Sequence, residues 1–379
     1  MNLLSSYDRA TEILQERDGW VDYIYLDLKK AFNRVPHKSL FWKRTYWRGD
    51  RTGMGDTSRI NLDVPRYDQS QFIGRLQHFF GITDWRLCFK SDKELDEVKD
   101  LLQRYRNGQE PPGTPEEKIW YAKRLYESAF HPDTGEKQNV IGRMSFQVPG
   151  GMILSGAMLT FYKSTPAVVF WQWANQSFNA LVNFTNRNAK SPLTEKQMGV
   201  AYLSATGAAL ATALGLKSFL AGRASTLLQR YVPFAAVAAA NCINIPLMRQ
   251  NELLDGIIVC DEDGNELVSS RLAAVKGISQ VVFSRIFMAA PGMTLLPVIM
   301  EKLEKQAWLR KNPRLNAPFQ VLACGVSLTF MTPAACALFN QKCSINTSTL
   351  AKLEPDTYAR LKIKCHGCVP DSVYFNKGL

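Results

Sequence analysis

The chain has 379 residues, a hydrophobic fraction of 46% and a formal net charge of +12. Its mean hydropathy of −0.17 is that of a soluble protein, and the charge would favour a nucleic-acid partner. Both averages hide two different halves, because residues 1–143 are charge-dense and residues 144–341 contain several long uncharged runs. Much of the basic excess lies in the N-terminal part and in short loops between these runs, without interleaved aromatic residues, so we expect no nucleic acid as partner.

The sequence shows no recognisable catalytic, phosphate-binding or metal-binding pattern. It contains no nucleophile–base constellation, no phosphate-binding glycine loop and no complete metal site, so we expect no enzyme, no cofactor and no metal. Cys365 and Cys368 form a lone CxxC without a second pair at zinc spacing, and the acidic loop 261–265 lacks the full EF-hand pattern. Residues 1–20 carry several charges and no apolar segment, so we expect neither a secretory signal nor a disulfide framework.

Residues 18–44 contain an apolar run that leads to Asp27, followed by a Lys-Ala-Phe sequence. They resemble motif A of reverse transcriptases from non-LTR retroelements, in which a strand ends in an aspartate that binds catalytic magnesium. Asn33 stands where that family commonly has a second aspartate, and no YxDD motif occurs in the chain. A two-metal polymerase needs those further carboxylates. We therefore expect residues 1–44 to be a non-functional retroelement fragment, joined by a linker at 45–60 to an unrelated protein.

The region 61–143 is predicted to be helical. Apolar residues recur at helical spacing over 72–80, 92–106 and 115–129, with Thr114 as the predicted N-cap of the third helix. We expect this small amphipathic region to lie against a membrane surface.

A turn follows these helices at 131–137, with the sequence HPDTGEK. Pro, Asp and Gly in close order are typical of turns. One interpretation gives His131, Asp133 and Thr134 a role in a gating or substrate-entry loop. The other makes them a structural turn whose side chains cap backbone amides.

The fold class we predict is all-α: a polytopic helical membrane protein with about five transmembrane helices and the N-terminal amphipathic region. Apolar runs of sufficient length define a transmembrane domain over 144–341. The five predicted spans are ~144–162, 197–216, 231–248, 277–300 and 315–339. The run 164–186 is predicted as an interfacial or additional helix, and 342–379 as a polar C-terminal tail.

Two local patterns add detail to this prediction. Gly207, Ala211 and Gly215 repeat every four residues, which predicts a face for close helix packing. Residues 257–259 and 266–268 flank an Asp-Gly-Asn sequence, which predicts a β-hairpin.

Polar side chains inside the apolar runs are the candidate functional residues. Asn241 and Asn244 lie near the end of one run, just before Pro246. Amides in hydrocarbon need partners and face a bundle interior or a water-filled path. They indicate either a solute pathway or a packing face held by two amides. Arg285 interrupts another run and indicates either a partner for a substrate carboxylate or a residue at the membrane surface.

An amide stripe marks the run 164–186. Its members step by three or four residues and continue to Asn186: they are Gln172, Asn175, Asn179 and Asn183. The side opposite the stripe is predicted from the apolar residues Trp171, Phe178, Leu181 and Val182. The helix would lie at the interface or line a pore.

Loop charges give a predicted orientation. The loops 217–231 and 301–316 hold eight Lys or Arg in 31 residues, whereas the loops 163–197 and 249–276 hold seven in 63. The bias favours the N-terminus on the positive-inside face.

Several segments from about residue 57 onwards, all in order, resemble the sideroflexin family. They are 65–84, 128–137, 141–153, 165–187, 232–250, 284–293 and 373–379. The resemblance implies a multi-pass protein of the mitochondrial inner membrane, and in that membrane the loop-charge bias would place the N-terminus on the matrix side. It implies import of small neutral amino acids, serine above all, in support of one-carbon metabolism. The first 56 residues depart from the family.

Other functions stay open on the same sequence. One is a non-transporting membrane scaffold in iron, haem or respiratory-chain homeostasis, and another is a carrier of a metabolite such as a tricarboxylate. The expected partners are a small amino-acid substrate and the lipid bilayer, and association with like or related chains is left open.

Overall fold

The computed structural model describes residues 59–132, 134–186, 194–221 and 225–378. The chain divides into two units, Met1–Ile60 and Asn61–Leu379. The retroelement-like segment, with Asp27 and Asn33, lies outside the described residues.

The second unit is mainly helical, with a small sheet. Its helices are α1 Phe72–Ile82, α2 Asp92–Asn107, α3 Glu116–Ala129, α4 Gln147–Thr160, α5 Thr165–Thr185, α6 Glu195–Leu220, α7 Thr226–Gln229, α8 Val232–Met248, α9 Gln250–Asp255, α10 Arg271–Leu303, α11 Ala307–Lys311, α12 Asn316–Ala337, α13 Thr347–Leu353 and α14 Pro355–Lys364. Short 3₁₀ turns lie at Trp85–Phe89, Val140–Gly142, Met144–Phe146 and Pro313–Leu315. The strands are β1 Ile257–Cys260, β2 Glu266–Ser270, β3 Lys342–Asn346 and β4 Ser372–Asn376.

The three predicted amphipathic helices are confirmed as α1, α2 and α3. α2 begins with a capping box, in which the Ser91 hydroxyl accepts from the Glu94 amide and the Glu94 carboxylate accepts from the Ser91 amide. The predicted cap of α3 is wrong. Thr114 Oγ1 donates to the carbonyl of Pro111 (2.7 Å), and Pro115 takes the N-cap position without a side-chain bond.

Four helical stretches among the described residues are long and apolar enough to cross a bilayer. They are Glu195–Leu220, Leu227–Met248, Arg271–Leu303 and Pro313–Ala337. The predicted span at 144–162 is not among them, because its helix α4 has only 14 residues. Such a helix is about 21 Å long, less than the roughly 30 Å of a hydrocarbon core. α5 has 21 residues but is also not among the four.

The surface of these helices is that of a protein in lipid. Large aliphatic side chains point outward, with exposed fractions of 68% for Leu203, 59% for Leu295, 62% for Leu322 and 63% for Val326. In water such a continuous apolar surface would favour association or aggregation. The bilayer therefore supplies the environment that these four helices need.

Small residues pack α6 against α8, but on a different face from the predicted one. The buried positions are Ala201, Ala205, Ala209 and Ala213, each at most 1% exposed. Gly207 and Gly215 have no atom within 4 Å of the place where a Cβ would stand. The predicted packing face is therefore wrong, because Gly207, Ala211 and Gly215 are exposed and face away from the bundle.

Close backbone contact holds α4 against α12 at Gly156. A Cβ there would lie 2.6 Å from Val321 Cα and 3.0 Å from Val321 N. We expect Gly156→Ala to lower the free energy of unfolding by about 1–3 kcal/mol, because backbone cannot move aside as a side-chain end can. The control Gly207→Ala is expected to stabilise by up to about 1 kcal/mol, since alanine is the better helix former. Thermal unfolding in detergent measures both, and equal stability of Gly156→Ala and wild type would contradict the packing.

The sheet joins the predicted hairpin to the end of the chain. β1 and β2 pair antiparallel, which confirms the hairpin, and the strand order is β2-β1-β4-β3. The segment predicted as a polar tail contains β3, α13, α14 and β4. Its apolar side chains form a core in which Val259, Leu350, Leu361 and Val373 are fully buried.

Candidate functional site

The first structural feature of the site is the amide stripe of α5, which faces inward. Gln172 and Asn175 are 2% and 8% exposed, while Asn179 and Asn183 are half-buried. The sequence reasoning missed Gln176, which is 2% exposed on the same side. Its spacing of four residues from Gln172 was the available signal.

The outer side of α5 differs from the predicted one. Of the four apolar residues predicted opposite the stripe, Leu181 is exposed, whereas Trp171 and Phe178 are half-buried and Val182 is buried. The exposed side consists of Phe170, Trp173, Leu181 and Phe184. The helix thus has its buried amides inside and three of its aromatic rings, Phe170, Trp173 and Phe184, outside.

Three of the inward amides lack hydrogen-bond partners in the described part of the chain. The atoms concerned are Gln172 Oε1, Asn175 Nδ2 and Gln176 Nε2. A buried polar atom without a partner costs about 1–3 kcal/mol. Such a group is suited to accept or donate a hydrogen bond to a polar solute. Asn186, at the end of the stripe, is different: its side chain makes hydrogen bonds to Gln138, Gly142 and Val182, and it is structural.

Gln172 lies on the wall of a cleft where α4, α5, α6 and α8 meet. The empty volume of the cleft is about 580 Å³, open solvent at its mouth included. Its lining residues combine aromatic and polar groups: Met158, Phe161, Tyr162, Lys163, Ala167, Val168, Trp171, Gln172, Ala213, Lys217, Gln229, Val232 and Pro233. Phe161 and Trp171 stack with ring centroids 6.0 Å apart. An apolar cleft with few polar groups is the usual form of a small-molecule site.

Lys217 fixes one side of this cleft. Its Nζ donates to the carbonyl of Lys163 (2.6 Å) and to Thr165 Oγ1 (3.1 Å). These bonds link α6 to the connection between α4 and α5. Tyr162 is buried beside Arg230, whose guanidinium lies 5.9 Å from the centre of the Tyr162 ring.

An ion pair between a buried arginine and a half-buried glutamate lies at the same end of the bundle. Arg230, 8% exposed in its side chain, donates from Nη2 to Glu304 Oε2 (2.5 Å). Glu304 Oε1 also accepts from Asn316 Nδ2 (2.8 Å). Burial alone would raise the pKa of Glu304, but the hydrogen bonds from Arg230 and Asn316 outweigh it and hold that pKa below its usual value. Together with Asn316, the pair links the residues just before α8 to the end of α10 and the start of α12.

The predicted amides of α8 lie deeper in the bundle than the cleft. Asn244 is 5% exposed and Asn241 is half-buried. Val232 lines the cleft, and Asn244 lies twelve residues further along α8, or about 18 Å. Asn179 lies about 17 Å beyond Val168, another cleft residue, along α5. The two amide groups are therefore at similar depth.

Arg285 on α10 lies at about the same depth along the bundle as Asn241 on α8. Ile245 packs with Ile278 and Val281 in one apolar cluster, and α8 and α10 run in opposite directions. One turn before Ile245 is Asn241, and one turn beyond Val281 is Arg285. The guanidinium of Arg285 makes no hydrogen bond or ion pair with a described residue. The predicted groups lie on the three helices α5, α8 and α10, and no hydrogen bond joins them to one another within the described residues.

The turn at 131–137 is held by its own backbone. The His131 amide donates to the Glu136 carbonyl (2.8 Å), and the Gly135 amide donates to the His131 carbonyl (2.9 Å). Thr134 Oγ1 accepts from the Glu136 amide (3.3 Å). Asp133 lies outside the described residues. These contacts favour the structural interpretation, and the gating role stays a prediction.

The described residues contain no group of three or more His, Cys, Asp or Glu side chains that could hold a metal ion. Together, the four candidate spans, the apolar outer surface and the polar interior define a polytopic α-helical membrane protein.

The sideroflexin family model matches residues 61–379, and the chain belongs to the sideroflexin family. Sideroflexin-2 of Mus musculus is 58% identical over 325 residues, which cover 86% of this chain and 99% of the relative. Sideroflexin-1 of Homo sapiens is 54% identical over 322 residues, covering 84% and 98% of the two chains. Sideroflexin-3 of Mus musculus is 54% identical over 327 residues, covering 86% and 100%. No solved structure matches the chain. The retroelement-like segment lies before the matched residues.

Proposed function

We propose that this protein carries small neutral amino acids, serine first among them, across the mitochondrial inner membrane with its N-terminus on the matrix side. The observation that carries the proposal is the set of unpartnered amides on α5, buried inside a bundle with an apolar exterior. Family membership supports the proposal, and the excess of Lys and Arg in the loops 217–231 and 301–316 supports the orientation.

The chemistry of the interior suits a small zwitterion. Amide oxygens accept from an ammonium group and from a serine hydroxyl, and amide N–H groups donate to a carboxylate. These bonds are worth more where water is scarce. The amides of α5 begin at the cleft with Gln172 and reach a depth similar to that of the α8 amides, so a solute would meet polar partners along the bundle.

Uptake into proteoliposomes tests this proposal. The full chain is reconstituted, and uptake of labelled serine, alanine, glycine and citrate is compared with that of protein-free vesicles. We expect serine uptake well above the control and unlabelled alanine to compete. Selective citrate uptake would make the protein a tricarboxylate carrier instead. Folded protein inert towards every solute would favour a scaffold in iron, haem or respiratory-chain homeostasis.

A further inference from the structure

Lys377 is an unusual residue at the end of the bundle opposite the cleft. It directly follows β4 and is 2% exposed. Within the described part of the chain its Nζ has one hydrogen bond, to the carbonyl of Gly378 (3.1 Å). Two of its three donors are therefore unused. A buried ammonium without a counter-charge is costly, by several kcal/mol.

No carboxylate is paired with Lys377 among the described residues, and two of its neighbours are arginines. The backbone of Lys377 packs against α10, since a Cβ on Gly277 would lie 3.4 Å from Lys377 Cα. Burial lowers the pKa of Lys377, Cys336 and Cys343 act in the opposite direction, and the charges of Arg249 and Arg285 lower that pKa further. Glu252 is already bound by Arg249, whose guanidinium also donates to the Lys377 carbonyl (2.7 Å).

The same face of α10 offers two further donors. Gln280 Oε1 accepts from the Cys343 thiol (3.1 Å), so this face meets β3 as well. Ser284 lies seven residues beyond Gly277 and one turn beyond Gln280, and its buried Oγ has no partner in the described residues. Arg285 is the next residue and has no hydrogen bond to the described residues. Lys377 packs at Gly277, and Ser284 and Arg285 lie about two turns further along α10, so three kinds of unused donor lie along this part of the helix.

We propose that Lys377, Arg285 and Ser284 form an anion site for the carboxylate of the transported amino acid. This rests on the proposed transport function. The site would hold the carboxylate at the sheet end of the bundle, at the level of Asn241, with the ammonium and hydroxyl groups of the solute towards the amides. Charged donors are strong ligands for a carboxylate where water is scarce. Sequence reasoning singled out Arg285 alone, because Lys377 is 92 residues away along the chain.

The test compares carboxylate binding by wild type and by Lys377→Met. The full chain in nanodiscs is titrated with serine, with serinamide, which lacks the carboxylate, and with acetate, which lacks everything else. We expect wild type to prefer serine over serinamide by at least about tenfold and Lys377→Met to lose that preference and its acetate binding. The control is Lys276→Met, an exposed lysine on α10 that donates to Ser344, and it should behave as wild type.

The outcomes separate the site from the function. An unchanged serine preference in folded Lys377→Met would overturn the site while leaving serine transport intact. Acetate binding that depends on Lys377 in a protein without serine uptake would support an anion site and refute the transport function. Wild type that binds serinamide as well as serine would refute carboxylate recognition without any variant. Phosphate binding tighter than acetate binding would assign the site to inorganic anions instead.

Discussion

Serine uptake is expected to fall more than about tenfold when Gln172 and Gln176 are both replaced by leucine, whereas thermal stability should stay equal or rise. Each side chain contributes a buried amide atom without a partner. Removing such a group relieves an unpaired polar atom, which costs about 1–3 kcal/mol. The same change removes the hydrogen bonds offered to the solute, and a loss of about 1.4 kcal/mol is tenfold in binding. Uptake into proteoliposomes and unfolding in detergent measure the two effects.

Asn186→Leu, at the C-cap of the same helix, is the matched control. Its amide makes structural hydrogen bonds to Gln138, Gly142 and Val182. We expect lower stability, by about 1–3 kcal/mol, with normal uptake per folded molecule. If the double glutamine variant instead unfolded more easily and transported serine normally, the amides would be structural and the assignment of the path would be wrong.

Breaking the Arg230–Glu304 pair is expected to have the largest effect on stability. Arg230→Met leaves the Glu304 carboxylate partly buried with Asn316 as its remaining partner. We expect a loss of about 3 kcal/mol, because a charge without its partner keeps its desolvation cost. The double variant Arg230→Met/Glu304→Leu should lose less free energy of unfolding than the sum of the two single changes, by at least about 1 kcal/mol. Strictly additive losses in detergent unfolding would contradict a coupled pair.

Acid should weaken the same pair. Because the pKa of Glu304 is held below its usual value, its contribution is present above about pH 4.5 and is lost as pH falls through the lowered pKa. Arg230→Met should therefore lose less stability on acidification than wild type does.

Local signals in the sequence were enough for the helices outside the membrane. Ser91 and Glu94 define the start of α2, and Gly108, with a φ of 72°, defines its end. The β-hairpin was predictable for the same reason, since the turn residues lie next to the strands. Thr114 shows the limit of this reasoning, because a hydroxyl can bond backwards to Pro111 instead of forwards into the helix.

Apolar runs gave the approximate place of the spans but not their lengths or faces. The uncharged run at 144–162 begins with a 3₁₀ turn and its helix stops at Thr160, which hydropathy does not record. On α6, the sequence contains two repeats of small residues, and either could form the face that packs against another helix. The neighbouring α8 decides that the alanine repeat from Ala201 packs inside and that the repeat from Gly207 faces out.

The polar interior was partly predictable, because amides in an apolar helix are conspicuous. Gln172, Asn175 and Asn244 are buried as this reasoning suggests. Contacts between distant segments were not predictable from one sequence. Lys377 packs at Gly277 of α10 and Glu304 pairs with Arg230, and both contacts depend on how segments far apart in the chain pack together.

Ligand-linked stability tests the central claim most directly, because it needs neither vesicles nor a coupling ion. A solute that binds only the folded protein at a hundred times its dissociation constant stabilises by about 2.7 kcal/mol. We predict that saturating serine raises the unfolding temperature of wild type and of Asn186→Leu, and leaves that of Gln172→Leu/Gln176→Leu unchanged. Equal stabilisation of all three proteins by serine would contradict a binding role for the buried amides of α5.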